Sequence, residues 1–300
     1  MAVIGSTGVL AAGRWRWLRA LAWLAGLCVA TIALFNLVAK ATLWLMVRAD
    51  GIHPTATSPA PASFRLVAAI AGSSALVATY WGAVRLGERR EVPELDLRRA
   101  PINLALGLGI GAALLTAIVG LQWLFGWVII EPRVIDRVAL ALRDSIRSGV
   151  VEELVLRLVI FRLLWRAVGI WPALVGAALL FGLLHLANPD SSPFAAACLI
   201  AGEGIGIGLY LITGRIWAAI GMHAAWNFTQ GWIFGATVSG ITEIAGGPLT
   251  LHPAPGVPLM LSGGGFGPEA SLAALAISLL ASAAFLFRAW RLGRFVAADA

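Results

Sequence analysis

The stretch SGVVEELVLRLVIFRLLWRAV, residues 148–168, places two adjacent glutamates inside a largely apolar run. The next run, WPALVGAALLFGLLHL at residues 171–186, is apolar up to His185. Runs of this length and composition are typical of helices that cross a bilayer. Because hydrocarbon cannot solvate an ionisable side chain, such a residue at membrane depth indicates a functional site.

The apolar character extends over the whole chain. Of its 300 residues, 60% are hydrophobic and 12% are charged, whereas soluble domains carry about 25% charged residues. Eight apolar runs lie at residues 20–39, 64–84, 102–130, 148–168, 171–186, 194–212, 216–234 and 270–287. Most are near the ~20 residues that a spanning helix needs. The sequence therefore predicts an all-α fold, a polytopic membrane helix bundle of about eight transmembrane helices embedded in a lipid bilayer.

We expect three parts in this bundle. Residues 1–135 hold helices one to three, residues 136–240 form a core of helices four to seven, and residues 241–300 form an external loop and helix eight. The loop at 241–268 is rich in glycine and proline, which argues against a helix there. It is predicted to be a flexible external segment, either a lid or disordered.

The charge distribution indicates orientation rather than a binding surface. The net charge is +7, but the arginines flank apolar runs, so nucleic acid is not expected as a partner. The positive-inside rule places both termini in the cytoplasm, and the arginine- and alanine-rich composition indicates a bacterial cytoplasmic membrane. The basic segment 131–147 falls on the outer side, where an amphipathic interfacial helix would explain it.

The two glutamates of the fourth run differ in their local partners. Glu153 and Arg157 are four residues apart, in the order that favours an ion pair on one helix, so this pair is interpreted as support. Glu152 has Leu156 at the matching position, so its own helix supplies no partner. Glu152 is therefore either a general base that contacts another helix or, near the predicted helix start, an ordinary solvated charge.

Polar residues also occur in the fifth and seventh runs. His185, taken alone, is explained by a hydrogen bond to a backbone carbonyl near the membrane interface. His223 and Asn227 are four residues apart and share one helix face, which also suits a hydrogen-bond clamp between helices. Their occurrence on consecutive predicted helices, together with Glu152, predicts convergence on one buried polar pocket.

The sixth run carries a series of glycines. Gly204 and Gly208 form a small-xxx-small face that predicts close packing against another helix. Glu203 lies within this run and faces either the polar interior or the outer interface, so the sequence assigns it no role.

These residues form a recognisable set. The pattern Glu152-Glu153-x-x-x-Arg157, Phe181-x-x-x-His185 and His223-x-x-x-Asn227 resembles the CAAX protease and bacteriocin-processing (CPBP) family of intramembrane endopeptidases. That family includes the prenyl-protein endopeptidases of the endoplasmic reticulum and the Abi proteins of bacteria. The resemblance covers about residues 148–234 and marks residues 136–240 as the catalytic core.

The resemblance implies a role for each residue. Glu152 is the general base, and His185 helps it to hold and polarise a water molecule. His223 and Asn227 stabilise the oxyanion, while Glu153 and Arg157 support the site.

The resemblance leaves the mechanism open between two types. The family is commonly described as metalloproteases, and Glu152, His185 and His223 could supply three ligands to Zn²⁺. The competing glutamate–water mechanism needs no cofactor, because a base, a held water and two donors suffice. We favour the second, and zinc stays possible.

The sequence thus predicts an intramembrane protease that hydrolyses a membrane-associated protein or peptide. Because Glu152 comes early in a helix that runs inward, the site faces outward, and the CAAX substrate class is not transferred. The alternative is a non-enzymatic immunity or scaffold protein that keeps the same polar cluster for packing. A cavity lined by the four predicted catalytic residues would favour catalysis.

Overall fold

The chain folds into a helical bundle in the computed structural model, which describes residues 5–55 and 58–297. The α-helices are α1 Arg16–Ala49, α2 Ala62–Ala83, α3 Ala100–Leu124, α4 Val138–Glu153, α5 Arg162–Val168, α6 Ile170–Leu184, α7 Pro193–Thr213, α8 Trp217–Phe228, α9 Leu259–Ser262 and α10 Leu272–Arg291. Two short strands, β1 Val128–Pro132 and β2 Leu249–Pro253, pair antiparallel. The predicted all-α, polytopic architecture is confirmed.

Six segments of the described chain are long and apolar enough to cross a membrane: Arg16–Ala49, Ala62–Glu88, Pro93–Leu124, Ile170–Ala187, Pro193–Thr213 and Leu272–Arg291. They correspond to six of the eight predicted runs. The other two, 148–168 and 216–234, are also helical. As a candidate membrane span, the first carries too many charged residues and the second is too short. These two runs hold most of the predicted site.

The helix that carries the glutamates is longer than the sequence indicated. A π-helical segment, Leu154–Phe161, joins α4 directly to α5. Because α4 begins at Val138, the helix expected within 131–147 is continuous with the fourth predicted run. Glu152 therefore lies in the middle of a continuous helix rather than near its start. Single π-helical turns inside α-helices occur frequently at functional sites.

Helix α8 packs closely between α3 and α4. A side chain at Gly107 or Gly111 of α3 would overlap the carbonyl oxygen of Ala218 or Met222. On the other side, a Cβ atom at Gly149 of α4 would lie 3.0 Å from the Cβ of Ala224. Small residues thus let three helices approach closely, and this approach brings α8 side chains within reach of α4.

The predicted packing face of α7 is confirmed. A Cβ atom at Gly204 would lie 2.7 Å from the Cβ of Ser282, and one at Gly208 would lie 2.6 Å from the Cβ of Phe285. Both contacts are with α10. The Ser282 hydroxyl also donates a 2.6 Å hydrogen bond to the carbonyl of Ala201.

The segment 241–268 is folded, contrary to the prediction of a flexible loop without helix. It contains β2, which pairs with β1, and the four-residue helix α9. The buried Gln122 of α3 donates hydrogen bonds to the carbonyls of Leu261 and Ser262 at 3.0 and 3.1 Å. The glycine and proline residues of this segment can follow a compact path because the helix bundle supplies hydrogen-bond donors for the segment's backbone carbonyls.

A buried charge network joins α2 to α5 at the end of the helix remote from Glu152. The Arg162 guanidinium donates two hydrogen bonds to the Glu88 carboxylate, at 2.6 and 2.8 Å. Arg90 contacts both Glu88, at 2.8 Å, and Glu94, at 2.6 Å, and Tyr80 donates to Glu94 at 2.6 Å. These charges compensate one another, so the network positions the helix that carries the site.

Candidate active site

Arg157 pairs with two buried carboxylates. Its Nε atom lies 2.9 Å from Glu153 Oε2, and its Nη1 atom donates a 2.5 Å hydrogen bond to Glu203 Oε1. The predicted Glu153–Arg157 pair is confirmed, and Glu203 receives a place that the sequence did not assign. A side chain at Gly206 would overlap the guanidinium, so the glycine provides the space in which Arg157 crosses to α7.

The imidazole of His223 lies between the two adjacent glutamates. Its Nδ1 atom is 2.8 Å from Glu153 Oε1, and its Nε2 atom is 3.6 Å from Glu152 Oε2. The ring comes from α8 and approaches α4 from the side, so both glutamates reach it although they point about 100° apart on their helix. Glu152 therefore finds its partner on another helix, as one of the two sequence interpretations requires.

Exposure separates Glu152 from its neighbours. The Glu152 side chain is 31% exposed, whereas those of Glu153 and Arg157 are 1% and 3% exposed. Glu153 is enclosed by His223 and Arg157, while one side of Glu152 faces open space. Among Glu152, Glu153 and Glu203, Glu152 is thus the most exposed carboxylate.

His185 lies in the short 3-10 turn, His185–Ala187, that follows α6. Its Nδ1 atom is 2.8 Å from the Phe181 carbonyl oxygen, so Nδ1 carries the proton and donates it. The Phe181 and His185 ring centroids are 4.5 Å apart, and Phe181 also contacts the His223 ring edge-on at 6.4 Å. Phe181 thus contacts both imidazole rings.

Asn227 lies one turn after His223 on α8. Its Nδ2 atom donates a 2.8 Å hydrogen bond to the Ser148 hydroxyl of α4, which in turn donates to the Asp144 carbonyl at 2.8 Å. The interhelical clamp suggested by the sequence is therefore present for Asn227. An amide nitrogen has two hydrogens, so the second stays free for another acceptor.

One cavity of about 1020 Å³ is lined by Glu152, His185, His223 and Asn227 together. This volume is far larger than the ~30 Å³ of a water molecule. The predicted convergence of these residues is confirmed, although their chemical roles stay predictions. Apolar side chains of α1, α4 and the π-helical segment also line the cavity: Ile32, Phe35, Leu43, Val151 and Val155.

The comparison with protein families bears on this region. Residues 132–229 match the Rce1-like family. The matching model describes type II CAAX prenyl endopeptidase Rce1-like proteins. The match confirms the resemblance carried by the three motifs, and we call residues 132–229 the Rce1-like segment. No curated protein and no solved structure matches the chain.

The Rce1-like segment includes α4 to α8 and so contains every predicted site residue. It supports an intramembrane endopeptidase of the CAAX type as the general class, and with the six apolar helices it supports an integral membrane protein. Orientation of the termini and a bacterial cytoplasmic membrane stay predictions.

The residues proposed from the sequence as zinc ligands are not gathered into a ligand set. Across residues 5–55 and 58–297, no group of three or more His, Cys, Asp or Glu side chains is arranged to hold a metal ion. Both His223 nitrogens face glutamates, and His185 Nδ1 is bonded to a carbonyl. Zinc binding stays a prediction of the sequence, and we derive no step through a metal.

Among the described residues, two buried carboxylates outside the predicted set also line the cavity, Glu203 and Glu269. Glu203 had a sequence signal, a carboxylate within an apolar glycine-rich run. Glu269 lies in the loop before α10, beyond the Rce1-like segment, and sequence spacing alone does not connect it to the site.

Proposed function

We propose that this protein is an intramembrane endopeptidase that hydrolyses a peptide bond of a membrane-associated protein or peptide, with Glu152 as its general base. The observation that carries this proposal is the position of Glu152, which is partly exposed to the cavity and faces His223 at 3.6 Å. A general base must be within reach of the water that it deprotonates.

The charge balance of the site favours a doubly protonated His223. The carboxylates of Glu153 and Glu203 contact the Arg157 guanidinium, and that of Glu152 faces His223. A carboxylate near each ring nitrogen stabilises the imidazolium. In that state Nδ1–H donates to Glu153, and Nε2–H points towards Glu152 and the cavity.

The reaction follows from these positions. A water molecule between Glu152 and His185 attacks the scissile carbonyl carbon while its proton passes to the Glu152 carboxylate. The carbonyl oxygen becomes an oxyanion, which accepts hydrogen bonds from His223 Nε2–H and the free Asn227 Nδ2 hydrogen. Glu152 then gives its proton to the amide nitrogen as the carbon–nitrogen bond breaks, which releases an amine and a carboxylic acid.

The remaining residues hold these groups in place. Glu153 accepts from His223 Nδ1 and orients the ring, and Arg157 compensates the charge of Glu153. The non-enzymatic alternative accounts well for Glu153, Arg157 and Glu203, because these side chains satisfy one another. It gives no reason for the exposed side of Glu152 or for a cavity that reaches all four predicted catalytic residues.

The test compares Glu152→Gln with Glu131→Gln, a matched control at an exposed position on β1. Purified variants in lipid nanodiscs are incubated with a library of membrane-anchored peptides, and products are identified by mass spectrometry. General base catalysis typically contributes about 10²–10⁴-fold, so Glu152→Gln should lose at least about 100-fold in rate while its Tm is unchanged. Wild-type cleavage by a folded Glu152→Gln variant would reject the assignment, and a large fall in Tm would favour the scaffold alternative.

A further inference from the structure

Glu269 is a buried carboxylate that lines the cavity but lies outside the Rce1-like segment. Glu269 is only 4% exposed. No Lys, Arg or His among the described residues forms an ion pair with it. Instead it accepts three hydrogen bonds from neutral donors. Ser239 N–H and Ser239 Oγ donate to Oε1 at 2.6 and 2.8 Å, and Trp226 Nε1 donates to Oε2 at 3.1 Å.

Each of these donors leads to a part of the candidate site. Trp226 lies on α8 between His223 and Asn227 in sequence. The Ser239 carbonyl accepts a 2.9 Å hydrogen bond from Asn188 Nδ2, and the Asn188 backbone N–H donates to the His185 carbonyl at 3.1 Å. Glu269 therefore links the helix that carries His223 to the turn that carries His185.

The backbone conformation of Ser239 is unusual for a residue other than glycine. Its φ of 48° lies in the left-handed region, which non-glycine residues rarely adopt. The N–H, hydroxyl and carbonyl of Ser239 are all hydrogen-bonded. The next residue, Gly240, contacts the carbonyl oxygen of Pro189 so closely that a side chain would overlap it. The turn at 238–241 therefore packs directly against the turn at 188–190.

From this geometry we infer that Glu269 is a positioning residue, which sets the location of His185 relative to His223 through Ser239, Asn188 and Trp226. The inference rests on the proposed function for its effect on the reaction, but the geometric effect on His185 can be measured without any substrate. A site that needs two imidazoles from different helices requires a link of this kind, because α6 ends at the His185 turn.

The test uses Glu269→Gln, which keeps the size of the side chain. A carboxamide has one acceptor oxygen and one donor nitrogen, so it cannot accept from both Ser239 and Trp226. The protein has four histidines, and ¹³Cε1-histidine labelling gives one NMR signal for each, with the His185 signal assigned from its loss in His185→Gln. In Glu269→Gln the His185 signal should shift, while the signal of the exposed His53 stays in place.

Kinetics supply the second readout. A misplacement of about 1 Å can lower a rate by on the order of 100-fold, so kcat of Glu269→Gln should fall about 10- to 100-fold with KM unchanged, and Glu131→Gln should match the wild type. An unmoved His185 signal in folded Glu269→Gln overturns the inference. If the wild type cleaves no peptide, the proposed function fails, and the NMR result alone decides the positioning role.

Ser239→Gly serves where Glu269→Gln does not fold. Glycine adopts a positive φ readily, so this variant removes only the hydroxyl donor and leaves the backbone of the turn in place. A smaller shift of the same His185 signal is expected. An unchanged His185 signal in this variant also contradicts the link.

Discussion

Replacement of Arg157 by methionine tests how the buried charges hold the site together. Methionine retains an unbranched chain of comparable length but carries no charge. In the wild type the guanidinium contacts Glu153 at 2.9 Å and Glu203 at 2.5 Å, and all three side chains are at most 3% exposed. The substitution leaves Glu203 without its cation and leaves Glu153 with His223 as its remaining partner.

The magnitude follows from this burial. Removing one partner of a buried ion pair costs about 3–5 kcal/mol, because the other charge stays desolvated and unpaired. Here two pairs are lost, but one of the carboxylates can take up a proton, which limits the penalty. We therefore expect about 3–5 kcal/mol in total, which corresponds to a fall in Tm of roughly 6–20 °C at about 2–4 °C per kcal/mol.

The assay is thermal unfolding of the purified protein in detergent, monitored by differential scanning fluorimetry. The matched control is Arg98→Met, whose side chain is 92% exposed and whose Tm should equal that of the wild type. A double variant, Arg157→Met with Glu203→Gln, removes the excess negative charge and should recover part of the lost Tm. If Arg157→Met unfolds at the wild-type temperature, or if Glu203→Gln lowers the Tm of the double variant further, the charge argument is wrong.

Three further outcomes are expected. Gly206→Ala should lower the Tm because its Cβ overlaps the Arg157 guanidinium, whereas Gly109→Ala, with no atom within 4 Å of its added Cβ, should leave the Tm unchanged or raise it; equal Tm values would contradict the close contact. Asn227→Ala should reduce the cleavage rate about 10²–10³-fold, as for other oxyanion donors, with a Tm decrease of only a few degrees, and an unchanged rate would remove Asn227 from the reaction. Dialysis against a chelator should leave the cleavage rate unchanged, and its loss, with recovery on adding Zn²⁺, would refute the glutamate–water mechanism.

Much of the fold could be predicted because hydropathy and spacing act locally. The apolar runs became helices close to the expected positions, and the Glu153–Arg157 pair formed because residues four apart share a helix face. Arg162 shows the limit of this reasoning. In the sequence, Arg162 lies towards the end of the apolar run 148–168, where a solvated charge would fit equally well. In the structure it is fully buried against Glu88, which is distant in sequence.

The amino-acid sequence by itself determined the membrane class and the helical architecture, since both depend on local composition and periodicity. The resemblance of its three motifs predicted Glu152, His185, His223 and Asn227 as site residues. Only the tertiary structure decided that His223 lies between Glu152 and Glu153, that Glu203 pairs with Arg157, and that Glu269 links two parts of the site. These contacts join residues 30 or more positions apart. They depend on how closely the helices approach one another, and no local pattern in the chain specifies that distance.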